Sequence, residues 1–242
     1  MAEESIEASS PTEIGVADLP KSLGDLVLKA DAAIEQNNLA YAVKLFLSVL
    51  KAEPGFVEGR RKLRASEMKL AGPPKKKGLF GGGGVGKLKG KAKKDPVGVI
   101  DDIERELEKD PYNAGLNELL HEVAFNLNML DTAAFALETV RRATPDNTKL
   151  LHKLAQFYEN RNMPEEAAGV YKDIVKADPT DTDAVKGEKD MTARASMARS
   201  QDASGALVKK DDDETLALEK ASRAAMTQDQ MEERRDQLVQ QY

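Results

Sequence analysis

The chain has no cysteine and no tryptophan, and aromatic residues make up only 5% of its 242 residues. Without cysteine it has no disulfide, no thiolate metal ligand and no cysteine nucleophile. No stretch of about 18 consecutive apolar residues occurs, so no transmembrane helix is predicted. Acidic residues near the N-terminus do not fit a secretion signal. Together these absences favour a cytoplasmic protein.

The composition favours helices. Hydrophobic residues make up 40% of the chain, which is enough to bury a core, and charged residues make up 32%. The scarcity of aromatic residues suits helices rich in alanine and leucine better than a β-sandwich. We therefore expect an all-α protein.

An internal repeat runs through the second half of the chain. Pro111, Pro145 and Pro179 follow one another at a constant 34-residue step. The same step relates further pairs, namely Leu120 and Leu154, Asn128 and Asn162, Ala133 and Ala167, Leu137 and Tyr171, and Val140 and Ile174. The agreement covers a whole 34-residue unit, which predicts a repeat array.

This pattern resembles the tetratricopeptide repeat, a 34-residue unit made of a helix, a tight turn and a second helix. Asn162 stands where the family often has glycine, and asparagine tolerates the left-handed backbone of such a turn. An earlier unit ending at Pro54 repeats the pattern. The packing positions of the family are matched by Leu154, Ala155, Tyr158, Ala167, Tyr171 and Pro179.

The resemblance implies a right-handed α-solenoid and a division of the chain into six segments. We expect the charged helix at the end to have too few apolar positions for a strong coiled coil. Because no helix-breaking residue precedes Tyr242, we also expect the chain to be a fragment of a longer repeat protein. The segments are an acidic flexible tail (1–21), the first repeat with the first helix of the second (22–71), a basic insertion rich in glycine and lysine (72–95), the second helix of the second repeat with two further repeats and a capping helix (96–197), a flexible linker (198–213) and a charged helix (214–242).

The insertion lengthens the second repeat, because Pro54 and Pro111 lie much further apart than one repeat length. Eight lysines against the single acid Asp95 give it a net charge of +7, and since the whole chain carries −6, the remainder carries −13. The run GGGGVGK imitates a phosphate-binding loop, but Leu88 replaces the Ser or Thr that holds magnesium. We therefore interpret the insertion as a flexible spacer, with an anionic membrane, nucleic acid or an acidic protein as alternative partners. Its candidate contact residues are Lys75, Lys76, Lys77, Leu79, Phe80, Lys87, Lys89, Lys91, Lys93 and Lys94.

The resemblance further implies a non-catalytic scaffold or adaptor, with a partner peptide or helix bound along the concave groove of the first helices. Several groove positions are basic, which favours an acidic partner; self-association is also open. The chain has only two histidines, without metal-site spacing, and no cluster of nucleophile and base, so we predict no metal, no cofactor and no catalytic residue. The predicted groove residues are Arg61, Lys62, Lys69, Lys149, His152, Lys153, Gln156 and Asn160.

Overall fold

We describe a computed structural model in which residues 11–74 and 84–200 are placed. The chain divides into two compact units, 1–189 and 190–242. In the second unit residues 190–200 are helical. The regular structure of the first unit is helical over the described residues, which confirms the predicted all-α class. Its helices are α1 (Lys21–Glu35), α2 (Leu39–Ala52), α3 (Val57–Ala71), α4 (Val85–Ala92), α5 (Gly98–Lys109), α6 (Ala114–Asn126), α7 (Leu130–Ala143), α8 (Thr148–Asn160) and α9 (Pro164–Ala177), and residues 182–189 are helical as well.

Three helix pairs, each joined by a short turn, lie closely against each other, namely α1 with α2, α6 with α7, and α8 with α9. Small side chains lie where paired helices meet. Ala124, Ala133, Ala155 and Ala167 are all fully buried, and an alanine at such a contact lets two backbones come close together. The pairs follow one another as the layers of an α-solenoid.

In each of these pairs an asparagine lies in the turn between the two helices. Asn37, Asn128 and Asn162 have φ of 59°, 59° and 55°, which is the left-handed conformation predicted for the turn at Asn162. At Asn128 the next amide, that of Met129, donates to the Ala124 carbonyl at 2.8 Å. This is the hydrogen bond of a Schellman helix ending, and it fixes the chain reversal.

The first helix of each of the two later pairs begins with an asparagine cap. The Asn113 side chain accepts a hydrogen bond from the Leu116 amide at the start of α6, and Asn147 accepts one from the Leu150 amide at the start of α8. Since 113 and 147 differ by one repeat length, the helix caps follow the same period as the core.

The middle of the array departs from the predicted pairing. The sequence predicts α3 and α5 as the two helices of one repeat; their backbones lie further apart than those of the regular pairs, while α3 lies closely against α2, and α5 lies against α2, α4 and α6. The short helix α4, which belongs to the predicted insertion, also lies beside α5. The expectation of a flexible segment over 72–95 is corrected for residues 85–92, while residues 75–83 lie outside the described part of the chain.

Residues 12–19 also differ from the flexible tail predicted over 1–21. The Ile14 amide donates to the Gly55 carbonyl at 3.1 Å, and a side chain at Gly55 would collide with the Thr12 carbonyl at 1.9 Å. Glu13 accepts hydrogen bonds from the amides of Asp131 at 2.9 Å and Thr132 at 2.6 Å. Because these amides begin α7, Glu13 caps a helix that is far away in the sequence.

Candidate functional site

The predicted groove residues on α8 form one continuous surface. Gln156 and Asn160 are exposed along the helix, and Lys149 is exposed at its start. His152 is half-buried, and its Nε2 lies 2.7 Å from Asp181 Oδ2. The hydrogen bond from His152 lowers the pKa of Asp181. Because the Asp181 side chain also accepts from the Ala184 amide at 2.9 Å, this contact joins α8 to the start of the next helical segment.

Lys153 is the most constrained cation on this surface. Its Nζ binds Glu118 of α6 and lies 3.7 Å from Glu122 of the same helix. The hydrogen bond to Glu118 raises the pKa of Lys153. Burial opposes the ionisation of Glu118, but the bond and charge of Lys153 outweigh it and lower the pKa of Glu118. The ammonium charge of Lys153 is thus largely neutralised within the chain.

Sequence reasoning missed the part of this surface that α6 contributes. Glu118, Glu122 and Asn126 stand one repeat length before His152, Gln156 and Asn160, so the period itself contains the signal for them. Phe125 belongs to the same row of α6 and is 54% exposed. The α6–α8 face is defined here by Glu118, Glu122, Phe125, Lys149, Lys153, Gln156 and Asn160.

An aromatic cluster supports Phe125. Its ring lies 6.2 Å from those of His121 and Phe157, measured between centroids, and the Arg161 guanidinium lies 5.5 Å above the Phe157 ring. The His121 Nδ1 lies 3.0 Å from the Ala133 carbonyl of α7, and burial lowers the pKa of His121. A neutral His121 with its N–H on Nδ1 fits this contact, so its role is packing. The cluster holds a large apolar ring at the surface.

The three predicted groove residues on α3 contact α1, α7 and α8, and the single groove of eight residues stays a prediction. Lys62 Nζ lies 2.9 Å from Asp31 of α1 and 2.9 Å from Glu58. Lys69 is exposed and lines a hollow between α1 and α3. Arg61 faces α7 and α8, where it lines a cavity with Phe135 and other residues.

A cluster of charges fills the space between α3 and α5. Arg60 Nε lies 2.7 Å from Glu104 Oε1, and Arg64 Nη2 lies 2.5 Å from Glu104 Oε2. Arg60 also donates to the Pro54 carbonyl at 2.7 Å and to the Thr132 hydroxyl of α7 at 3.0 Å. The buried charge cluster, made of Arg60, Arg64, Glu67 and Glu104, connects α3, α5 and α7.

The two acids of the buried charge cluster have opposite pKa shifts. Burial disfavours the charge of Glu104, but two arginines outweigh burial and lower its pKa. Burial raises the pKa of Glu67 to about 8, against the attraction of Arg64. Glu67 binds Arg64 through Oε2 alone, and its Oε1 has no hydrogen-bond partner. Because both carboxylates are at most 2% exposed, neither is accessible to a substrate, and the cluster is structural.

The basic insertion is only partly described. Lys75, Lys76, Lys77, Leu79 and Phe80 lie outside the described residues. On α4, Lys91 Nζ lies 2.6 Å from Asp102 of α5, and Lys89 Nζ lies 3.8 Å from Glu122 of α6. These two lysines therefore contact acids of the same chain. Lys87, Lys93 and Lys94 are exposed.

Neither a metal site nor a membrane span emerges from the parts of the chain that the structure places. Over 11–74 and 84–200, no three histidine, aspartate or glutamate side chains gather in a way that could hold a metal ion. Within the same ranges, every helix is too short or too polar to cross a bilayer.

Comparison with known proteins identifies the repeats. The family model of the tetratricopeptide repeat matches residues 124–187, from the end of α6 into the helical residues after α9. This segment consists of tetratricopeptide repeats, which confirms the family predicted from the 34-residue period. No curated protein matches the chain.

Solved structures with similar backbones include the MamA protein, at 17% identity and a TM-score of 0.35, with 74% of this chain and 85% of that chain covered. Another is TTC0263, described as a thermophilic TPR protein of Thermus thermophilus, at 17% identity and a TM-score of 0.31, with coverage of 71% and 99%. At these values the similarities say nothing about what this chain binds.

Proposed function

We propose that the chain is a non-catalytic scaffold that binds a segment of another protein along the α6–α8 face. The observation that carries this proposal is Phe125, a large aromatic side chain that is 54% exposed and held in place by other rings. Exposed aromatic residues on a rigid support are typical anchors of protein interfaces. Gln156, one residue before Phe157 of the aromatic cluster, is exposed and offers hydrogen bonds to a partner backbone.

The charge of the face supports a different partner from the acidic one predicted by sequence. Lys153 is paired with Glu118 and Glu122, and His152 is paired with Asp181. These pairs leave little unbalanced positive charge on the α6–α8 face. We propose that the partner contributes an apolar side chain against Phe125 and a polar segment along α8.

The test uses the full chain as bait in a cross-linked pull-down from the native cell extract. Phe125→Asp puts a charge where the anchor lies, and we expect it to remove the partners recovered by the wild-type chain. Tyr41→Asp is the matched control, because Tyr41 of α2 is 48% exposed and lies off the α6–α8 face. Equal recovery by the Phe125→Asp variant and the wild-type chain would contradict the proposal.

Contact of the insertion with an anionic membrane or nucleic acid stays a prediction, as do the cytoplasmic location and self-association. Two of the five described lysines of the insertion already face carboxylates of the same chain. Because these two lysines are already paired within the chain, less positive charge is left for a membrane or a nucleic acid. This favours the protein-binding proposal over the two alternatives.

A further inference from the structure

The short helix α4 occupies a surface that belongs to α5 and α6. Leu88 is its buried residue and is 8% exposed. Val85 approaches Gly115 so closely that a Cβ on Gly115 would lie 3.4 Å from a Val85 methyl group. We call the surface beneath α4 the α4 seat, and it includes Asp102, Glu106, Gly115 and Glu122.

The α4 seat and its occupant have opposite charges. Lys91 Nζ lies 2.6 Å from Asp102, and Lys89 Nζ lies 3.8 Å from Glu122. All four side chains remain 39% to 46% exposed, so the pairs are solvated and hold α4 only weakly. The complementarity still selects for a basic helix, because an acidic one would meet like charges.

The sequence of α4 is poorly suited to forming a helix by itself. The helix has eight residues, two of them Gly86 and Gly90, and a third glycine, Gly84, precedes it. Isolated helices shorter than about 12 residues are marginal in water, and interior glycines weaken them further. The helix is therefore formed because the α4 seat holds it, and it depends on few contacts.

The seat is also wider than its occupant. A cavity of about 290 Å³ lies between α4 and α5, lined by Leu88, Asp102 and Arg105 among others. A second one of about 180 Å³ lies beside Val85, lined also by Glu106 and Leu116. A helix with larger side chains than those of α4 would fill space that α4 leaves open.

We propose that the α4 seat binds a basic amphipathic helix of a partner protein, and that α4 is its competitor within the chain. The fitting helix has apolar residues three positions apart, as at Val85 and Leu88, followed by basic residues that face Asp102 and Glu122. It lacks the glycines that weaken α4. This proposal is separate from the one for the α6–α8 face, because the two surfaces share only Glu122 and this one takes a partner of defined charge.

The test measures binding of a fluorescent peptide to the full chain by anisotropy. The peptide has the sequence of residues 84–95 with the changes Gly86→Ala and Gly90→Ala, which strengthen its helix. Leu88→Asp in the chain releases α4 from the seat. Because removal of a competitor raises the fraction of open sites, we expect this variant to bind the peptide at least about tenfold more tightly than the wild-type chain.

Two further variants keep the experiment decisive. Gly90→Pro breaks α4 without touching the seat, since the space around Gly90 is open, and it should give the same gain if Leu88→Asp disturbs folding. Adding Asp102→Asn and Glu122→Gln to either variant should weaken the binding by about three- to tenfold and remove most of its dependence on salt. Circular dichroism verifies that each chain stays helical.

The controls separate this proposal from the previous one. Lys93→Gln changes an exposed lysine just after α4 and should leave peptide affinity at the wild-type value. Phe125→Asp should also leave it unchanged, whatever it does to partners of the α6–α8 face. Equal peptide affinity of the wild-type chain and both released variants would overturn the proposal, and so would undiminished binding after the Asp102 and Glu122 changes.

Discussion

Two regions of the molecule pack their helices against each other with different kinds of side chain. From α6 to α9, helices meet on fully buried alanines such as Ala124 and Ala155, and most of the buried side chains between them are apolar. Between α3 and α5, the same role falls to the buried charge cluster. Small apolar side chains let helices come close together, whereas long charged side chains keep α3 and α5 apart and bridge the gap.

The two regions should therefore respond differently to substitution. Apolar burial is not directional, and its loss scales with the atoms removed. A buried ion cluster depends on complete pairing, because removing one charge leaves its partners desolvated and unpaired. The comparison predicts that neutralising one carboxylate in the cluster costs as much as the loss of several carbons in the regular repeats.

Glu104→Gln should have the largest effect. Glu104 binds both Arg60 and Arg64, so its neutralisation leaves two buried guanidiniums without the carboxylate that they share. We expect the free energy of unfolding to fall by about 3 to 5 kcal/mol, measured by urea denaturation. Glu106→Gln is the control, because its pair with Lys109 is exposed and should contribute at most about 0.5 kcal/mol. Similar losses for the two variants would remove the distinction between the regions.

Leu120→Ala tests the regular repeats in the same way. Leu120 of α6 is fully buried, and truncation of such a leucine usually costs about 2 to 5 kcal/mol. Leu28→Ala is the matched control, since Leu28 is 69% exposed and should change stability by less than about 0.5 kcal/mol. An unfolding midpoint for Leu120→Ala equal to that of Leu28→Ala would show that the apolar core of α6 is not closely packed.

The same contrast explains how far the sequence predicts the fold. The 34-residue period predicts the pairs α6 with α7 and α8 with α9, and it predicts the left-handed turn at Asn162. Repeated local spacing specifies repeated local structure, because each pair buries its apolar face against the next. For the regular repeats, pattern and structure agree.

The pattern fails where contacts depend on residues far apart in the chain. In the sequence, Arg60, Arg64 and Glu67 resemble ordinary exposed helix residues. Only the fold brings Glu104 of α5 into contact with the two arginines. The contact of Glu13 with the start of α7 spans 118 residues, and no local spacing indicates it. The predicted groove was incomplete for a simpler reason, since Glu118 and Glu122 follow from the period and only their acidic character set them apart from the basic residues that were chosen.

Glu67 gives the buried charge cluster a pH dependence that the regular repeats lack. Burial raises the pKa of Glu67 to about 8 from its ordinary value of 4.5, so the folded chain holds a proton that the unfolded chain releases between these values. Stability from this group is present below the unfolded value and is lost as pH rises through the folded value. The loss between pH 5 and pH 8 should be on the order of 3 kcal/mol.

The measurement compares urea unfolding of the wild-type chain and the Glu67→Gln variant across that pH range. Glutamine imitates the protonated acid, so the wild-type chain should lose stability relative to the variant as pH rises. Groups common to both chains cancel in the difference, including His121, whose pKa is lowered by burial. A difference that stays constant with pH would show that Glu67 is ionised throughout and fully stabilised by Arg64.

Asn162→Ala should have the smallest effect. It tests the left-handed turn between the two helices of a regular repeat. With φ at 55°, alanine at this position brings its Cβ close to the carbonyl, which costs about 1 kcal/mol. Asn162→Gly should be as stable as the wild-type chain to within about 0.5 kcal/mol, because glycine adopts this conformation without strain. Asn160→Ala, at the end of α8, separates backbone strain from loss of the amide side chain, since alanine is favoured in a helix. If both alanine variants lose the same stability, side-chain contacts and not the left-handed backbone explain why asparagine recurs at residues 128 and 162.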